Sequence, residues 1–217
     1  SLINRKFFNA ETGVYAEGTQ TAQALALYLG LVPEGKEQLV ADKLREVVAG
    51  NNYFLDFGLL GSKTVPAMLT KYGYIEDAMK MITKTEAPSW GYWVETMGYS
   101  TLPETWTLSP KFADASLNHV FMGDVSAWMM NQLAGINHDD SAPGFRHIRI
   151  TPHFVKELDW AKGEYHSVRG RIASEWKREG DQVMLTVTIP ADCSADIVVG
   201  DQTETVSAGT HTFSYPV

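Results

Sequence analysis

Along roughly the first 135 residues, hydrophobic positions recur every three to four residues, the period of a helix with one buried face. In "TQTAQALALYLGL" that period groups Ala22, Leu25, Ala26 and Leu29, and in "KEQLVADKLREVVAG" it groups Leu39, Leu44 and Val47. Pro33 ahead of the second run and Gly50 at its end fit a helix's start and stop. "LLGSKTVPAMLTKYG", "IEDAMKMITKT" and "WGYWVETM" continue the pattern. The strongest stripe runs through "SLNHVFMGDVSAWMMNQLAG", along Leu117, Phe121, Val125, Trp128 and Leu133. About six helices joined by short turns are predicted between Gly18 and Gly135.

Beyond Pro143 the period changes to two. "RHIRIT" alternates, and "GRIASEWKREGDQVMLTVTIP" reads as two strands around a Gly-Asp turn, with Val183, Leu185, Val187 and Ile189 on one face. "ADIVVGDQTETVSAGTHTFSYPV" continues as short strands and turns, and the whole reads as a β-sandwich or a large part of one. The polar segment "NHDDSAPGF" marks the change, giving a helical part over residues 1–140 and a strand-rich part over 141–217. His138, Asp139 and Asp140 are contiguous in that segment and read as a solvated turn, not as metal ligands. No cofactor or metal is called for.

One segment follows neither period: "GYSTLPETWTLSPKFADASLNH", residues 98–119. Pro103 and Pro110 forbid a continuous helix through it, so it is an ordered connection leading up to a helix. Such connections are where sites tend to sit. Glu104 reads in two ways: as a solvated loop carboxylate, or as a general base beside the indole of Trp106, whose apolar face suits the C–H surface of a sugar. His119 falls two positions from Leu117 and from Phe121, off the apolar stripe, and reads as a surface histidine or as a polar contact.

Composition narrows the partners. The chain has 217 residues, 44% of them hydrophobic, and a formal charge of −8. Clustered Lys and Arg for nucleic acid or an anionic membrane surface are missing. Cys193 is the only cysteine, which excludes an intrachain disulfide and a thiolate metal site. No apolar run approaches the roughly 20 residues that span a bilayer. The opening "SLINRKFFNAETG" has no signal-peptide core and no initiating methionine, so the chain is expected to be an internal piece of something longer and the compartment stays open.

Six stretches, "TQTAQALALYLGLVPEG", "GLLGSKTVPAMLTKYGYIEDAMKMI", "PSWGYWVETMGYSTLPETW", "SLNHVFMGDVSAWMMNQLAGI", "PGFRHIRITP" and "HSVRGRIASEWKREGDQVMLTVTIPADCSADIVV", occur in this order. Together they resemble the bacterial α-L-rhamnosidases of glycoside hydrolase family 78 over nearly the whole chain. The resemblance implies part of an (α/α)6 barrel followed by a C-terminal β-sandwich, and an inverting hydrolysis of α-L-rhamnosides. It implies that Glu104 of "TLPETW" is the general base, that His119 of "SLNH" touches the sugar and that Trp106 is the second tryptophan of a Trp-Glu-x-Trp segment. Pro103 stands where that segment usually has its first tryptophan. Trp90, in "PSWGYW", is a further candidate for an aromatic contact with substrate. The family's general acid lies in an acidic segment with Arg and Trp in the first half of the barrel, and no such segment occurs here; nothing in the settings of Glu17, Glu95, Asp114 or Asp124 recommends one as a substitute. The chain alone is therefore expected to hydrolyse little. Other readings left open by the residues are another (α/α)6 glycosidase or phosphorylase, or a non-catalytic carbohydrate-binding piece.

Overall fold

A computed structural model describes residues 1–106 and 114–216. Pro110 lies outside the described residues. Two compact units follow one another along the chain, Ser1–Val125 and Ser126–Val217.

The first unit is helical. After a short helix α1 (Leu2–Phe7) and a two-residue strand pair, β1 (Phe8–Asn9) with β2 (Val14–Tyr15), come α2 (Gln20–Tyr28), α3 (Glu37–Gly50), α4 (Leu59–Lys71) and α5 (Ile75–Thr83). A π-helical turn covers Tyr92–Thr96. A helical stretch that begins in this unit and ends in the second changes pitch along its length: a 3-10 turn at Val120–Gly123, α6 at Asp124–Trp128 and a π turn at Met129–Leu133. Between Gly18 and Gly135 the described residues form no strand. α4 packs on α2 and on α5. Gly61 permits the first contact, because a Cβ there would stand 2.9 Å from Thr21 Oγ1 and 2.2 Å from Phe57 Cβ.

Three predicted helix faces are corrected. α2 buries Gln20, Gln23, Ala24, Ala26 and Leu27, while Leu29 is 56% exposed and Ala22 and Leu25 are only partly covered. Hydrogen bonds explain why two glutamines go inside. Gln23 Oε1 accepts from Tyr15 N at 2.5 Å and its Nε2 donates to Gly13 O at 2.9 Å; Gln20 Nε2 donates to Phe54 O at 3.0 Å and its Oε1 accepts from Asp56 N at 3.1 Å. Each amide satisfies main-chain groups of a loop distant in sequence, which makes its burial affordable. α3 turns by one position and buries Val40, Ala41, Leu44 and Val48, leaving Leu39 and Val47 half-buried. The last helix begins at Val120, so Leu117 precedes it; Leu117 and Phe121 are exposed and the buried side chains are Met122, Val125, Trp128 and Leu133.

The second unit carries, after the end of that helical stretch, a six-stranded sheet: β3 (Ile136–His138), β4 (His147–Ile150), β5 (Trp160–Ser167), β6 (Gly170–Glu179), β7 (Gln182–Val199) and β8 (Gln202–Pro216). It begins at Ile136, one residue ahead of the polar segment "NHDDSAPGF". The predicted inward face of Val183, Leu185, Val187 and Ile189 is buried. The tail differs from the expected short strands: β7 has 18 residues and β8 has 15. β8 pairs with β7 along most of its length, whereas β6 pairs with β7 from Gln182 to Thr188 and β4 joins it in parallel from Ser194 to Ile197. A register shift between Ile189 and Ser194 separates the two halves.

Candidate functional site

The site is built on the irregular segment ahead of the last helix, and its two ends are tied together by main-chain bonds. Glu104 N donates to Ser116 O and His119 N donates to Leu102 O, both at 2.8 Å. These bonds bring together side chains 15 positions apart in the chain. His119 Nε2 lies 3.9 Å from Glu104 Oε1, with side chains 20% and 38% exposed. Glu104 Oε2 accepts from Ser116 N at 3.1 Å, so one carboxylate oxygen is held while the other faces the imidazole.

His119 caps the 3-10 turn, with its Nδ1 accepting from Phe121 N at 3.5 Å. In the neutral ring that bond leaves the proton on Nε2, the nitrogen facing Glu104. The segment after His119 is held by two other side chains: Ser62 Oγ donates to Phe121 O at 2.9 Å and Trp90 Nε1 donates to Met122 O at 3.0 Å.

Trp106 closes an aromatic cluster. Its ring stacks on Trp93 and stands edge-on to Trp90, with centroids 5.3 Å apart and planes at 89°. Its Nε1 donates to Phe57 O, and the Phe57 ring lies 6.0 Å from both Trp106 and Trp90. Trp90 is 3% exposed, so its ring has no free face to offer a sugar. Trp90 holds the Met122 carbonyl and backs Trp106.

Two hollows adjoin these elements. A depression of about 220 Å³ is lined by Gly98, Tyr99, Ser100, Thr101, Pro103 and Leu117. A groove of about 600 Å³ runs along Leu25, Tyr28, Leu29, Leu60, Val120 and Phe121, with Lys63 and Asp124 at 3.9 Å from each other on its wall. Phe121 also lies 5.4 Å from the His119 ring, centroid to centroid. Among the described residues no group of three or more His, Cys, Asp or Glu is placed to hold a metal ion. No helix among them is long and apolar enough to cross a membrane.

Residues 1–133 match the model of the bacterial α-L-rhamnosidase 6-hairpin glycosidase domain, and residues 135–214 match that of the bacterial α-L-rhamnosidase C-terminal domain. The chain belongs to the bacterial α-L-rhamnosidase family. An α-L-rhamnosidase of Streptomyces avermitilis is 28% identical over 87% of this chain and 18% of its own length, and one of Alteromonas sp. (strain LOR) is 28% identical over 89% of this chain and 21% of its own length. The crystal structure of native α-L-rhamnosidase from Aspergillus terreus superimposes with a TM-score of 0.90 at 27% identity, covering 97% of this chain and 25% of that one. The Streptomyces avermitilis enzyme complexed with L-rhamnose shares the fold, with a TM-score of 0.88 at 24% identity over 98% of this chain and 23% of that one. The chain thus spans about a fifth of the length of the curated rhamnosidases it matches.

Glu104, His119, Trp106 and Trp90 all fall within the stretch matched by the rhamnosidase 6-hairpin domain. Reading the sequence missed Trp93, Phe57, Ser62 and Ser116. Trp93 stood in the same "PSWGYW" as Trp90, and Ser116 opens "SLNH"; neither spacing says that one stacks on Trp106 or that the other's amide holds Glu104. Phe57 and Ser62 belong to a part of the chain some 50 residues away, and only the fold brings them in.

Proposed function

We propose that this chain is the part of an inverting α-L-rhamnosidase that supplies the general base, Glu104, with His119 as its neighbour at the sugar. The pairing of these two side chains at 3.9 Å, in a loop held at both ends, is the observation that carries the reading. A general base needs an oriented carboxylate with one oxygen open to water. Glu104 has Oε2 held by an amide and is exposed enough for water to reach it. It takes the proton of a water attacking the anomeric carbon from the face opposite the leaving group, while a second carboxyl group, outside these 217 residues, protonates the departing oxygen. His119 Nε2–H is free to donate to a sugar hydroxyl, and Trp106 forms the apolar wall behind the loop.

The finer fold follows the same reading. Hairpins α2–α3 and α4–α5 with the helical stretch after them supply about half of an (α/α)6 barrel. The groove of exposed Leu29, Leu60, Val120 and Phe121 is the kind of surface an incomplete barrel presents. In the second unit the long β7 changes partners midway, which suits a sheet folding over into a sandwich.

The stereochemistry of hydrolysis tests the mechanism. Proton NMR of a full-length enzyme carrying this chain, acting on an aryl α-L-rhamnoside, should show the β-anomer of rhamnose first. Early release of the α-anomer would exclude Glu104 as a base acting on water in a single displacement.

A further inference from the structure

The two segments that carry Glu104 and His119 form no regular strand, and the two main-chain bonds that join them leave one residue too many on the His119 side. In a regular antiparallel ladder, two steps along one strand match two along the other. Starting from the Glu104–Ser116 bond, the amide meeting Leu102 O would then be that of Asn118; it is that of His119 instead. The extra residue makes a bulge at Leu117–Asn118, which gives His119 the place opposite Leu102 that Asn118 would otherwise take.

A bulge leaves main-chain groups without ladder partners, and two hydroxyls take them here. Thr101 Oγ1 donates to Leu117 O at 2.7 Å, and Ser116 Oγ accepts from Asn118 N at 3.2 Å. The Ser116 amide, which a two-bond pair would direct to the Glu104 carbonyl, goes to the Glu104 carboxylate. We infer that Thr101 and Ser116 are positioning residues whose hydroxyls hold the bulge that presents His119, and not Asn118, to Glu104. This rests on the reading of Glu104 and His119 as the working pair, but the bulge itself can be tested without activity.

The first arm uses the 217-residue chain and amide hydrogen exchange by NMR. Thr101→Val with Ser116→Ala should speed exchange of the His119 amide by about fivefold or more, while the Glu104 amide, bonded outside the bulge, changes much less. Thr101→Ser, which keeps the hydroxyl, should restore protection. All these side chains are at the surface, so the fold is not at risk. The second arm uses the full-length enzyme: the double variant should lower kcat on an aryl rhamnoside about tenfold through misplacement of the pair. In a His119→Ala background the same two substitutions should add little, because the residue they position is already gone. Unchanged exchange at His119, or losses that simply add to that of His119→Ala, overturn the inference. Faster exchange with undiminished turnover upholds the hydroxyls as supports of the bulge and overturns the catalytic reading of the pair.

Discussion

The indole of Trp106 lies on that of Trp93, with ring centroids 4.3 Å apart and planes 21° from parallel. Trp93 is almost fully buried, and Trp106 is partly so. This stacked pair, together with the edge contacts of Trp106 to Trp90 and Phe57, seats the loop carrying Glu104 on the helical core. Trp93→Ala should cost about 3–5 kcal/mol of stability, as expected for emptying a large buried site. Trp106→Phe keeps a ring over Trp93 but deprives Phe57 O of its donor, and should cost about 1–2 kcal/mol. Urea unfolding of both variants checks the ranking, and a Trp93→Ala loss no larger than that of Trp106→Phe would contradict it.

Glu104→Gln removes the basic carboxylate while keeping size and an acceptor oxygen for the Ser116 amide. In the full-length enzyme kcat should fall by roughly 10²-fold or more, with KM changing much less. His119→Ala should weaken both, since a contact made before and during reaction is lost. Steady-state kinetics on an aryl rhamnoside distinguish the two patterns.

Gln23 is fully buried, and its amide bridges Tyr15 N and Gly13 O. Gln23→Leu leaves both main-chain groups without a partner and should lower stability by about 2–4 kcal/mol, despite the gain in hydrophobicity. Thermal unfolding of the variant is the measurement.

How the helices bury their faces shows where the sequence was legible. The alternation Val183, Leu185, Val187, Ile189 predicted its buried face directly, because a strand between two neighbours has only two sides. In α2 the rule failed: Gln20 and Gln23 are inside because loops from elsewhere need their amides, and hydropathy does not register such partners. The setting of Glu104 and His119 in an irregular loop made them candidates, and only family resemblance gave them roles. Their approach depends on a bulge, and nothing in "SLNH" announces which residue the ladder will skip.

His153 provides a handle on pH. Burial pulls its imidazole below the ordinary range, against the partly opposing effect of its bond to Gln132 O at 3.2 Å. The unfolded chain thus binds a proton more readily than the folded one. Stability should be fully present above the ordinary imidazole value of about 6.5 and decline as pH falls through it. His153→Gln keeps a donor for Gln132 and removes the titration, so its urea midpoint should fall less between pH 7.5 and pH 5.5 than that of the parent. Parallel curves for the two proteins would assign the decline to other groups.

Leu29 and Leu60 line the groove and are exposed. In the 217-residue chain, Leu29→Ser with Leu60→Ser should reduce self-association in sedimentation velocity with little change in unfolding midpoint, because little burial is lost. In the full-length enzyme the same pair should instead lower the midpoint, if the groove is an internal face of the barrel.

The change of partners along β7 bears on the order in which the sheet domain assembles. β5, β6, β7 and β8 follow one another through short turns and pair antiparallel, each with its neighbour in sequence. Such hairpins close small loops and can form early. β4 has to wait, because its parallel partner, Ser194 to Ile197, begins 47 residues after His147 and lies beyond the register shift in the pairing of β7 with β8. β3, paired with β4 alone, comes with it. The strands that directly follow the helical unit are thus the last to join the sheet and the first to leave it, so a pull or a protease acting there opens the domain at its seam and spares its spine.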